Sequence, residues 1–299
     1  MTATNQARDN ALSNRDRAAQ ERAALVARLW TEHAGDLANK LEQCGATIVL
    51  LCTNCGARKP AEVACRRRWC PACAWGIQQD RIAAFEGVTR AMTWPLFVTL
   101  TMPNDPDPTR IRVLRDAWAR MRRRKLLQDR VTGGITTIEI TEGAGGWHPH
   151  LHCLCDCRWL SIHTPAPRPT DSKAVVKQKC DHARMELSAI WSDTLKVPQA
   201  IVLAKRKAPG DGLAYATKYG LKGTTMIQSK LPIAPLIRVI ATSRLLSTFG
   251  NCHAVPENLE DEGKTKCTCK ECGATKSYMP EEVAHRMIRG MMNAAGKRK

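Results

Sequence analysis

The run from Gly134 to Cys157, GITTIEITEGAGGWHPHLHCLCDC, limits the fold of this chain more than any other stretch. In GITTIEIT (134–141) and HLHCLCDC (150–157) residue character alternates with the two-residue period of a β-strand, and the glycine-rich EGAGGW between them reads as a turn. The spacing predicts a hairpin. Upstream, LFVTLTM (96–102) alternates in the same way until PNDPDP breaks it. From Thr109 onward, Ile111, Leu114, Trp118 and Met121 recur at helical spacing. PAPRP (165–169) reads as a loop, 172–195 as a helix and AIVLA (200–204) as a short strand, with a further helix from about 211. The order β-α-β-β-α-β-α predicts an α+β fold, an antiparallel sheet with helices on one face. Residues 11–43 carry Leu25, Leu29, Leu37 and Leu41 among alternating charges and read as an amphipathic helical arm.

The hairpin also carries chemistry. Residues two apart on a strand share a face, so His148, His150 and His152 form a row. Cys153, Cys155 and Cys157 have the opposite parity and read as core thiols. The strand that folds back beside His150 and His152 brings Glu139. Two imidazoles and one carboxylate hold a metal with open positions for a phosphate oxygen, which suits Mn²⁺ or Mg²⁺. Glu142, in the turn, is a rival carboxylate, and His148, just before Pro149, reads as flanking the site.

Fourteen cysteines in a chain whose first residues, MTATNQARDN, carry no apolar export segment point to metal binding in a reducing cytoplasm. In CTNCGARKPAEVACRRRWCPAC, four of Cys52, Cys55, Cys65, Cys70 and Cys73 are expected to hold one structural Zn²⁺, with Cys65 as the spare thiol. Such a site would hold Arg66, Arg67 and Arg68 towards phosphates. A second knuckle, CTCKECG, offers Cys267, Cys269 and Cys272 for a second zinc, with Cys252 and His253 as partners upstream. The longest apolar run, ATIVLLC, is too short to cross a bilayer, so no membrane partner is expected. A net charge of +18 favours a polyanionic partner, nucleic acid first.

Two of the three tyrosines stand in AYATKYG. On a helix Tyr215 and Tyr219 share a face with Lys222, and a phenol beside a cation and a metal-polarised phosphorus can attack a phosphodiester.

CRRRWCPACAW, FVTLTMPN, IEIT with GGWHPHLH, and YATKYG, in that order, resemble the motifs of the replication initiators of small rolling-circle plasmids, within the HUH class of nicking enzymes; SRLLSTFG (243–250) is similar to a weaker element. The resemblance covers about residues 50–250. It implies an HUH nuclease palm of ferredoxin or RRM type, with His150 and His152 as metal ligands and Glu139 as the third. It also implies Tyr219 as the nucleophile that stays joined to a 5′-phosphate while a host polymerase extends the 3′-OH. The substrate would be origin DNA, single-stranded or extruded as a hairpin, and the partners host helicase, polymerase and single-strand binding protein. Some members place a glutamate four residues before the nucleophile; here that position is Tyr215, which suggests a paired-tyrosine mechanism, while Asp211 leaves a shifted assignment open. The expected organisation is a helical arm (1–45), a zinc segment (46–80), a nicking domain (90–225) and a C-terminal region (226–299). A single-strand transposase of the same class, a zinc-dependent DNA-binding regulator without catalysis and a hydrolytic nuclease are the alternatives.

Overall fold

The computed structural model describes residues 3–198, 200–206, 209–217, 223–254, 269–274 and 278–280, with side chains described except at 3–15, 206, 209, 215–216, 223–225, 253–254 and 278–280. The arm is two helices, α1 (Ala3–Thr31) and α2 (Gly35–Glu42), where the periodicity predicts one. His33, at φ 55°, turns the chain between them. Gly35 starts the second helix where a Cβ would lie 2.7 Å from the Trp30 ring. Leu25, Leu29, Leu37 and Leu41 are all buried, as their spacing requires.

Strands β1 (Thr47–Cys52) and β2 (Arg58–Glu62) lead to α3 (Pro71–Arg90), which opens on a proline where a missing N–H leaves no helical bond unmade. The order read from the sequence follows: β3 (Pro95–Thr101), α4 (Arg110–Arg122), α5 (Lys125–Arg130), β4 (Gly133–Gly143), β5 (Gly146–Asp156), α6 (Lys173–Leu195), β6 (Val202–Arg206) and α7 (Pro209–Ala216). After it come α8 (Gly223–Gln228), α9 (Ile233–Thr242), β7 (Leu246–Gly250) and β8 (Tyr278–Pro280). The helix expected from Thr109 onward ends at Arg122, and Arg123 and Arg124 separate it from α5. Helix α6 starts where expected, with the Ser172 hydroxyl accepting from the Val175 amide, and stops at Lys196, left-handed at φ 60°.

Five strands form one antiparallel sheet in the order β6-β3-β5-β4-β7, and β2-β1-β8 form a second. Because β7 pairs with β4, the larger sheet extends past residue 225, the expected end of the nicking domain. The hairpin runs its full length, Gly133 opposite Asp156 and Gly143 opposite Gly146. Its tip is fastened by the loop after β3: the amides of Asp105 and Trp147 each donate to the other's carbonyl, at 3.0 and 2.8 Å. That closeness requires glycine at 146, where φ is 126° and a Cβ would lie 2.4 Å from the Asp105 carbonyl carbon.

Alternation sorts the two faces of the larger sheet. On one, Val98, Leu100, Ile138, Ile140, Leu151 and Val202 pack with α4 and α6, and Cys153 and Cys155 join this core as expected. These two helices supply the layer predicted from the sequence. The opposite face is apolar at one end as well, and there Phe97, Ile135, Leu154 and Leu246 pack with Phe85 of α3 and Leu213 of α7. A second, smaller helical layer therefore covers that end. Beyond it, on the same face, lie the histidines.

Candidate functional site

Strand β5 is central in the sheet, so His148, His150 and His152 project between two neighbouring strands. Thr141 stands opposite His148, Glu139 opposite His150 and Thr137 opposite His152, while on the other side Thr101 and Thr99 stand opposite His150 and His152. The register thus puts all eight side chains on one face. His152 Nε2 lies 2.8 Å from Glu139 Oε2, and its Nδ1 lies 3.0 Å from the Thr99 hydroxyl. His150 Nε2 lies 3.1 Å from the Thr141 hydroxyl. The His150 ring is stacked 6.1 Å from that of His152 and tilted 4.2 Å from that of His148. His148 is therefore a third imidazole in the row, nearest the hairpin tip. Pro149, between them, falls outside the β3 pairing, where a missing amide is tolerated.

Burial, followed by the neighbouring charges of His148 and His152 and opposed by Glu139, pushes the His150 pKa down to about 4; burial lowers that of His148 as well. At neutral pH His150 therefore presents an uncharged imidazole, the form that binds metals. Glu139, the carboxylate the sequence favours, faces the histidines, whereas the two oxygens of its rival Glu142 share the Lys230 amide N–H. The Thr137 hydroxyl, beside His152 and Glu139, is buried with no hydrogen-bond partner among the described residues. The imidazoles, a carboxylate and that spare hydroxyl are a donor set suited to a hard or borderline divalent cation.

The cysteines gather differently from the expectation. Among the described residues two sets bring their ligand atoms within 4.8 Å of one another: Cys44, Cys65, Cys70 and Cys73, and separately Cys52, Cys55, Cys269 and Cys272. The two knuckles expected to share one ion belong to different sets, because the turn after β1 faces the C-terminal knuckle. Cys65 is no spare, and Cys44 completes its set from the end of α2. Cys252 is buried in the second core, away from both sets, and Cys267 and the His253 side chain lie outside the described residues. Either foursome could hold a metal ion such as zinc: its touching sulfurs stand 3.5–3.8 Å apart and all lie within 4.8 Å of one another, near the ~3.8 Å edge of a tetrahedron with zinc–sulfur bonds of about 2.3 Å. A disulfide would bring them to ~2 Å. In the first set, hydrogen bonds from Cys65 and Cys70 draw the Cys73 thiol down to about 2. The Cys65 thiol, favoured as thiolate by Cys70 but opposed by Cys73 and burial, rises to about 12. Four clustered thiols, two of them buried, cannot all ionise together without a cation among them.

Residues 58–158 match a family model described as a replication protein. That match covers about a third of the chain. It supports a rolling-circle replication initiator and implies DNA binding, and it contains Glu139 and all three histidines of the row. No curated protein and no solved structure matches the chain.

The rest of the expected site lies beyond that segment. Helix α7 packs on the histidine face: a Cβ on Gly212 would lie 2.8 Å from the Leu154 side chain, and Leu213 joins Phe97 and Ile135. Gln78 of α3 donates to the Ala214 carbonyl at 3.1 Å. The backbone of Tyr215 is therefore over the same side of the sheet as the histidines, while its side chain, Tyr219 and Lys222 lie outside the described residues. Edge strand β6 adds exposed Leu203 opposite Thr99, and Lys205 opposite Phe97.

Sequence reasoning left the partner of the helical arm unnamed; the structure supplies it. The Arg28 guanidinium donates to the carbonyls of Met226, Ile227, Ser229 and Leu231, where α8 ends, at 2.6–3.0 Å. One turn on, the Glu32 carboxylate accepts the amides of Ile233 and Ala234, where α9 begins. Opposite charges one turn apart thus meet opposite helix ends. The signal was an Arg and a Glu four apart, legible as a pair but not as a clamp.

Proposed function

We propose that this chain initiates rolling-circle plasmid replication by nicking and rejoining origin DNA through a tyrosine. The observation that carries this reading is the shared face: Glu139, His150 and His152 are on the side of the sheet over which α7 brings the backbone of Tyr215. In this reading His150, His152 and Glu139 hold Mn²⁺ or Mg²⁺, exchanging the contacts Glu139–His152 and Thr141–His150 for coordination bonds. The ion would supply Lewis-acid polarisation of the phosphate.

The protein's own residues do the rest. Thr99 orients the His152 ring through Nδ1, leaving Nε2 for the ligand role. The Tyr219 oxygen bonds to phosphorus as the bond from phosphorus to the 3′ oxygen breaks; the phenolic proton passes to solvent and solvent protonates the departing oxygen, leaving a 5′-phosphotyrosine and a free 3′-OH. Lys222 stabilises the phenolate, and Tyr215, four residues earlier, carries the closing strand transfer. The phosphotyrosine keeps the energy of the broken bond, so rejoining needs no nucleotide. Leu203 and Lys205, on the open edge of the same face, suit the apolar bases and charged backbone of a single strand. Zinc in the thiol foursomes would be structural, and host helicase, polymerase and single-strand binding protein would complete the replication machinery in the cytoplasm.

The test is to incubate the protein with Mn²⁺ and single-stranded origin oligonucleotides and analyse the products by denaturing gel and peptide mass spectrometry. A DNA-linked peptide covering 215–219, lost in Tyr219→Phe, is expected. Cleavage without any protein–DNA adduct would instead mean hydrolysis by water.

A further inference from the structure

The thiols of Cys52, Cys55, Cys269 and Cys272 come from two copies of one local design. CTNCGA (52–57) and CKECGA (269–274) share Cys-x-x-Cys-Gly-Ala. Their backbones match: the Cys52 amide donates to the Ala57 carbonyl at 2.8 Å and the Cys269 amide to the Ala274 carbonyl at 2.9 Å. The amides of Gly56 and Gly273 each return to the first cysteine of their knuckle at 2.9 Å. Both glycines take left-handed φ values, 73° and 71°. The sulfurs meet across the pair, Cys52 to Cys272 at 3.8 Å and Cys55 to Cys269 at 3.7 Å. The Asn54 side chain donates to Cys272 Sγ at 3.4 Å, as an outer partner of a thiolate would.

The small sheet that joins these knuckles has little else to hold it. Cys52 is the one fully buried side chain of β1, β2 has none, and Val49 is exposed. A small sheet in which β1 and β2 bury so little does not stay folded in water unaided. β8 nevertheless pairs with β1, Cys52 opposite Tyr278, across more than two hundred residues of sequence. Both knuckles lie outside the replication-protein match, one before residue 58 and one after residue 158.

We infer that Cys52, Cys55, Cys269 and Cys272 form a zinc ribbon that closes the chain, its ion tying the C-terminal knuckle and β8 to the segment preceding the replication-protein match. Binding of the ion provides the free energy that apolar burial does not. The ribbon and the other foursome differ in access. Cys55 and Cys272 are exposed, whereas Cys44 and Cys70 are buried, so chelators reach the ribbon ion first.

Two measurements on the full-length protein test this. Elemental analysis should give two zinc ions per chain, falling to one in Cys269→Ser/Cys272→Ser; a double variant that keeps both ions overturns the inference. The second needs no variant that might fail to fold. In zinc-loaded protein, Cys55 and Cys272 should alkylate at least tenfold more slowly than exposed Cys180, which belongs to neither foursome, and a brief exposure to chelator should make Cys52, Cys55, Cys269 and Cys272 reactive before Cys44 and Cys70. Alkylation of Cys55 and Cys272 as fast as Cys180 in the loaded protein overturns it. The nicking reading uses none of these four residues, so phosphotyrosine formation and ribbon metallation fail or succeed separately.

Discussion

At the scale of single residues, His150 and Thr99 are the informative ones. The His150 pKa lies near 4 in the folded protein and near 6.5 in the unfolded chain, so between those values the unfolded state binds more protons. Its contribution to stability is complete above about pH 6.5 and is lost as pH falls towards 4. Denaturant titrations without divalent metal should show this loss, and His150→Gln should flatten it; an unchanged slope in the variant would exclude His150 as the cause. Thr99→Val removes the partner of His152 Nδ1 and should weaken divalent-ion binding about 10–100-fold by calorimetry while leaving the unfolding midpoint nearly unchanged. Much of this was legible in the sequence, since period-two alternation is enough to align His150 with His152. The preference for Glu139 over Glu142 was legible too, since the hairpin puts Glu139 beside the histidine strand and Glu142 in the turn; the use of Glu142 by the Lys230 amide was not.

At the scale of elements, the arm and the hairpin tip make separate predictions. Arg28→Ala would strip four carbonyls at the end of α8 of a charged donor, and a loss of about 1–3 kcal/mol is expected from chemical denaturation. Arg28→Lys should recover only part of it, since one ammonium cannot reproduce the spread of a guanidinium. Gly146→Ala places a Cβ against the Asp105 backbone in a conformation that L-residues avoid, and should cost about 1–3 kcal/mol. A smaller loss would mean that the loop after β3 moves away freely, which hydrogen exchange at Trp147 would detect. The central order β-α-β-β-α-β-α was readable from periodicity. The break at His33 and the extent of α3 were less so, because a left-handed turn and a helix buried on only part of its length leave weak periodic signals.

For the whole molecule, charge and packing must be read together. The net charge of +18 predicts that DNA affinity, measured by fluorescence anisotropy, falls steeply with salt, by ~10³-fold between 50 and 200 mM if six or more phosphates are contacted. Several arginines are already engaged by partners within the chain. Arg120 donates to the Thr194 carbonyl at the end of α6, Arg124 pairs with Asp193, and Arg238 pairs with Asp36. The salt slope should therefore be well below that of a fully free basic surface, and Arg120→Ala should lower stability more than it changes that slope. Among the described residues no helix is long and apolar enough to cross a membrane.

Sequence alone determined whatever repeats locally: the alternation that makes the hairpin, the helical faces carrying Leu25, Leu29, Ile111 and Leu114, and the row of imidazoles. These follow from backbone geometry, which acts over a few residues. Tertiary structure alone decided which thiols meet. A Cys-x-x-Cys turn supplies half of a tetrahedron and says nothing about the origin of the other half, so Cys44 joined Cys65, Cys70 and Cys73, while Cys52 and Cys55 met a knuckle from the far end of the chain. The repeated Cys-x-x-Cys-Gly-Ala was visible in the residues, but only the folded chain brings its two copies together.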